Sequence, residues 1–129
     1  MKKIITILTL CLISIMTFAE SATFTVQNLS ERTLTVKIMK LDGGLYTTIY
    51  VPAKSTRSTN IYAQGYYYTK TKAEKQWSET LYSKDEAFFV QNNSQGYSVL
   101  TVTYWVEESK YPQSSGQRIS KSEFESDNK

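Results

Sequence analysis

Carboxylates are the first residues in this chain that could do chemistry. Asp85-Glu86 and Glu107-Glu108 are adjacent pairs, and glycoside hydrolysis needs two carboxyl groups flanking one bond. Neighbouring strand residues point to opposite faces, so neither pair converges on a substrate and both read as solvated charges at strand ends. Asp42, Asp85 and Glu86 could offer oxygens to calcium, but their spacing follows no regular ligand pattern. The chain contains no His and a single Cys, Cys11. This removes the Ser-His-Asp and Cys-His arrangements, the imidazole general base and the common zinc sites. Lys54, Ser55 and Ser58 supply a Ser/Lys pair in type only, with nothing to mark it as a nucleophile. Gly43-Gly44 is an isolated turn without the lysine of a phosphate loop. The expectation is a non-enzymatic protein with no catalytic residue, no metal and no cofactor, an enzyme of unknown type ranking third behind two binding readings.

Binding chemistry is better represented, because the chain has 10 Tyr, 5 Phe and 2 Trp. If Tyr67, Thr69, Thr71 and Ala73 face inward, then Tyr66, Tyr68, Lys70 and Lys72 form a stripe on the opposite face. If Leu100, Val102, Tyr104 and Val106 are core, then Val99, Thr101, Thr103 and Trp105 point outward. Tyr and Trp bring large contact area at low entropy cost. The candidate binding residues are therefore Tyr66, Tyr68, Lys70, Lys72, Trp77 and Trp105, serving a protein partner at an aromatic face or an open sheet edge. The alternative is a glycan stacked on Tyr66, Tyr68, Trp77 and Trp105. The plainer reading is that these rings decorate a strand-rich surface, where tyrosine is favoured in any case. The aromatic-basic interleaving of Tyr66 to Lys72 is also the pattern of a nucleic-acid stacking platform, but the charge balance argues for no nucleic acid.

That balance depends on the N-terminus. Met1-Lys2-Lys3 is a short basic segment, followed by an uncharged apolar run from Ile4 to Phe18. The run suits the core of a signal peptide and is short for a membrane span. Thr17-Phe18-Ala19 offers the cleavage site, so residues 1–19 read as a signal peptide and the protein as periplasmic or secreted, with no stable membrane insertion after cleavage. Cys11 follows Leu10, where a lipidation signal needs a small residue, so it counts as one more apolar position. Loss of Lys2 and Lys3 lowers the net charge from +3 to +1, which gives polyanion binding little support.

The elements that must position these residues are strands. Leu34, Val36 and Ile38 alternate with Thr33, Thr35 and Lys37, as in a strand with one buried face. Thr23–Leu29, Tyr46–Val51, Arg57–Tyr62, Tyr66–Lys72, Ala87–Gln91 and Tyr97–Val106 behave likewise, and Trp77–Tyr82 reads as an edge strand. Asp42-Gly43-Gly44 supplies a tight hairpin turn. About seven or eight short strands at this spacing predict an all-β fold, an antiparallel β-sandwich over residues 20–106, with a small β-barrel as the alternative. Residues 107–129 turn polar, with Tyr111, Ile119 and Phe124 as their only large apolar groups, and are expected to form a disordered tail, with Ser120 to Glu125 folding onto a partner or forming one amphipathic turn as the alternative.

The segments Val26-Gln27-Asn28-Leu29-Ser30, Leu34 to Ile38, Val51 to Thr56 and Gly65 to Lys70 give the chain an order of features that resembles small exported bacterial immunoglobulin-like or transthyretin-like sandwich domains. The resemblance implies a fold and an exported accessory role. It brings no catalytic residues, and the inter-sheet cysteine pair of antibody domains is missing.

Overall fold

The computed structural model describes residues 21–128; the expected signal peptide lies outside them. Among the described residues, strands make up 56% and helix 5%, and no barrel closes. The order is β1 (Ala22–Asn28), β2 (Thr33–Lys40), β3 (Leu45–Val51), β4 (Thr56–Ile61), β5 (Gly65–Glu74), β6 (Leu81–Lys84), β7 (Phe88–Val90), β8 (Asn92–Asn93), β9 (Gly96–Tyr97), β10 (Val99–Tyr104), β11 (Val106–Glu107), β12 (Gln113–Ser114), β13 (Gln117–Arg118) and α1 (Lys121–Glu125). The larger sheet runs β13-β6-β5-β2-β3, with β7 also paired to β5, and the smaller runs β10-β1-β4. The pairs β8-β9 and β11-β12 are separate short hairpins.

The core lies between the two sheets and follows from the alternation along their strands. Leu34, Val36 and Ile38 of β2 point inward beside Ala73 and Tyr67 of β5, and meet Phe24 and Val26 of β1 and Ile61 of β4. Phe24 stacks on Phe88 across the gap at 5.2 Å between centroids. On β3, Ile38 faces Thr47 while Met39 faces Leu45, so Tyr46 is a bulged extra residue. The bulge redirects its side chain, and the Tyr46 ring meets Tyr67 edge-on at 5.5 Å. The expected turn forms at Gly43 (φ 111°) and Gly44 (φ 101°), closed by Lys40 N donating to Gly44 O at 2.9 Å.

Asn28 ties one corner. Its Nδ2 donates to the carbonyls of Arg32 and Pro52, and its Oδ1 accepts from Ser30 N and Ser30 Oγ. Arg32 is fully buried, and its guanidinium bonds Glu108 through Nε and Nη2 at 2.9 and 3.1 Å while Nη1 reaches the carbonyls of Ala73 and Glu79. Glu108 is thus an ion-pair partner rather than the solvated strand-end charge expected for it.

Three other expectations are corrected. The pair β1-β10 is parallel, from Val99↔Thr23 to Tyr104↔Asn28. The chain crosses between sheets in the intervening residues 29–98 and re-enters beside β1 from the same end, as a parallel pair requires. The strand expected at Trp77–Tyr82 begins only at Leu81. Residues 75–78 instead form a turn closed by Ser78 N donating to Lys75 O, with Trp77 at φ +64°.

The polar tail, finally, is folded. Within 107–128 lie β12, β13 and α1, and Ile119 and Phe124 are 9% and 4% exposed. β13 extends the larger sheet through Gln117↔Lys84 and Arg118↔Ser83. Gly116 (φ +84°) makes this approach feasible, since a Cβ there would lie 2.8 Å from Asp85 Oδ1. Cations on the sheet hold the same segment through its carbonyls and carboxylates.

Candidate interaction face

The outer face of the larger sheet holds the predicted stripe. Tyr67, Thr69, Thr71 and Ala73 are buried inward, so Tyr66, Tyr68, Lys70 and Lys72 do share the opposite face. They do not share an environment. Lys70 is wholly buried, contrary to its expected place in an exposed row.

The cover is α1. Ser120 caps its N-terminus by accepting from Glu123 N at 3.0 Å, and Lys70 Nζ donates to the carbonyls of Glu123 (2.7 Å) and Ser126 (2.6 Å) at its other end. A cation at the carbonyl end of a helical turn is favourably placed. Lys37 Nζ adds bonds to Phe124 O (3.1 Å) and Asp127 Oδ1 (2.7 Å), and Lys84 pairs with Glu123 at 3.0 Å. The Phe124 ring packs against Tyr82 at 5.5 Å and lies under the Lys37 ammonium at 4.7 Å. The Lys72 ammonium also lies over this ring, at 5.9 Å, so two cations face the Phe124 ring while Lys70 binds the backbone beside it. Burial, followed by the nearby Lys37, pushes the Lys70 amine below the usual lysine range.

Beyond α1 the same face stays open. Tyr66 pairs in register with Phe89 of β7, their rings edge-on at 5.0 Å. Leu41 N donates to Tyr66 O at 2.9 Å on the other flank. Leu41, Tyr66 and Phe89 are 52%, 58% and 44% exposed. Between them and α1 a pocket of about 550 Å³ is lined by Leu41, Tyr68, Ala87, Asp85, Glu123 and Ser126, among others. Burial raises the Tyr68 phenol and the Asp85 carboxyl above their ordinary values, and a Thr69 hydroxyl donated to Asp85 at 3.2 Å partly offsets the latter.

The remaining candidates lie elsewhere. Trp77 tops the turn after β5 and is 93% exposed, while Trp105 follows β10 of the smaller sheet and is 47% exposed. Tyr66, Tyr68, Trp77 and Trp105 are therefore not one aromatic platform. The sequence reading missed Leu41 and Phe89. Phe89 could have been found from its neighbour Phe88, since adjacent strand residues face opposite ways and a Phe-Phe pair must turn one ring outward. No protein-family model, curated protein or solved structure matches the chain.

Proposed function

We propose that this chain is an exported, non-enzymatic interaction module whose protein partner seats on the open half of the larger sheet's outer face. The observation that carries the reading is the cluster of Leu41, Tyr66 and Phe89, three exposed apolar side chains on adjacent segments beside a pocket. Exposed contiguous apolar groups rimmed by polar residues mark interaction sites. The covered half gives an internal precedent: there the sheet accepts a short peptide, Ser120 to Asp127, that inserts one aromatic ring. The export reading rests on residues 1–19. The non-enzymatic reading rests on the missing histidine and on carboxylates engaged singly, Glu108 by Arg32 and Asp85 by Thr69.

A photo-cross-linking amino acid at position 66, with position 50 as control, tests this in cells that make the chain. Tyr50 is 67% exposed but lies on the edge strand β3. A discrete protein adduct from position 66, weakened by Phe89→Ser and absent from position 50, is expected. Adducts of equal yield at both positions, or none at 66, refute the assignment.

A further inference from the structure

We propose that the outer face of the smaller sheet is a binding face for a neutral polysaccharide. Its three strands align their outward residues in rows: Val99, Thr23 and Asn60; Thr101, Thr25 and Ser58; Thr103, Gln27 and Thr56. Eight of these nine side chains are hydroxyls or carboxamides and none is charged, in a chain that is 21% charged overall. The opposite outer face, by contrast, carries Lys37, Lys70, Lys72 and Lys84. Water-facing sheet surfaces ordinarily mix both signs of charge, so solubility alone does not account for this composition.

The geometry is that of a grid. Strands lie about 4.8 Å apart and every second residue advances about 6.7 Å, so donors and acceptors repeat in two directions. Cross-strand bonds hold part of it in place, Thr25 Oγ1 with Ser58 Oγ at 2.7 Å and Thr103 Oγ1 donating to Gln27 Oε1 at 3.2 Å. Exposed rings stand at opposite ends. Tyr62 follows β4, is 66% exposed, and accepts from Asn60 Nδ2 at 3.3 Å. Trp105 continues the outward series of β10 beside Leu29, at 47% and 48% exposure.

This chemistry selects its ligand. A polyanion finds no cation in the grid and a basic partner finds no carboxylate. A stable protein interface needs an apolar centre, and the one apolar member, Val99, sits at a corner. A neutral polysaccharide presents hydroxyls that both donate and accept, as these side chains do, and sugar faces that rest on Trp and Tyr rings. Each hydrogen bond gains little net of water, so affinity must come from many contacts repeated along a polymer.

The proposal does not depend on the partner face of the other sheet, and native-gel affinity electrophoresis of the full chain separates the two. Gels carry dextran, mannan or a soluble β-glucan, with alginate as the charged comparison. Retardation of about twofold or more is expected in at least one neutral gel, as repeated weak contacts would give. It should be lost in the double variant Thr25→Lys, Thr101→Lys, reduced in Trp105→Ala, and kept in Tyr66→Ser, with thermal melts confirming that each variant folds. Because Trp105 lies at the margin of the sheet, its variant decides the matter even if the double variant misfolds. Free migration in all the neutral gels, unchanged retardation of Trp105→Ala, or stronger retardation in alginate overturns the proposal.

Discussion

Arg32 shows how much one side chain holds together. Its guanidinium joins the start of β2 to the end of β5, to the loop before β6 and to Glu108 beyond β11. The Arg32 hydrogen bonds hold the Glu108 carboxyl below its ordinary value of 4.5. A carboxyl with a depressed folded pKa contributes stability that is present above its unfolded pKa and lost as pH falls through the folded one. The melting temperature should therefore fall as pH drops from about 4.5 through the lowered value. Glu108→Gln, which keeps a polar partner but not the charge, should flatten that acid limb and cost about 1–2 kcal/mol at neutral pH. Melts recorded from pH 7 down to 3 check this, and an acid limb as steep as that of the wild type would count against the pair. The sequence offered no hint of it. Arg32 stands in a short turn and Glu108 in a polar stretch 76 positions away, and no local periodicity connects them.

At the scale of elements, the alternation in β2 and β5 was legible because one buried face imposes a two-residue period over eight or more positions. The docking of α1 was not, for an equally physical reason. A five-residue helix is too short to show a 3.6-residue stripe, and the residues that receive it are largely lysines, which hydropathy counts as polar. The stripe at Tyr66, Tyr68, Lys70 and Lys72 was thus read correctly as a shared face but not as one half-covered by the chain itself. If Phe124 is the anchor, Phe124→Ala should favour undocking of residues 119–128 by about 3 kcal/mol, the low end for a buried Phe whose rim touches charged groups. That is more than a hundredfold in the opening equilibrium. Lys70, shielded in the wild type, should then acetylate up to about a hundredfold faster than in the wild type while exposed Lys54 is unchanged, read by peptide mass spectrometry. Unchanged shielding of Lys70 would mean that the salt links alone hold the segment.

For the molecule as a whole, β1 and β10 are the decisive pair, since they bring together segments separated by residues 29–98 and complete the smaller sheet. Sequence pattern named both strands and the inward residues of the second, Leu100, Val102, Tyr104 and Val106, which the structure packs with Phe24 and Val26. It could not pair them, because a two-residue period specifies a face and carries no information about partner or direction. Kinetics should expose that same non-local pairing. Chain entropy must be lost before these strands reward each other, and folds dominated by such contacts form in milliseconds to seconds. Refolding at about 1–100 s⁻¹ is expected on that basis. Trp105 directly follows β10, so its fluorescence reports the step once Trp77, 93% exposed and unpacked, is replaced by Phe. Val26→Ala trims a β1 residue that is 1% exposed. It should slow folding if β1 and β10 are already joined at the barrier, and should mainly speed unfolding if they join later. A refolding rate above about 10⁴ s⁻¹ would instead place the barrier in the local hairpins β2-β3 and β5-β6, leaving the parallel pair to close on a sandwich already half built.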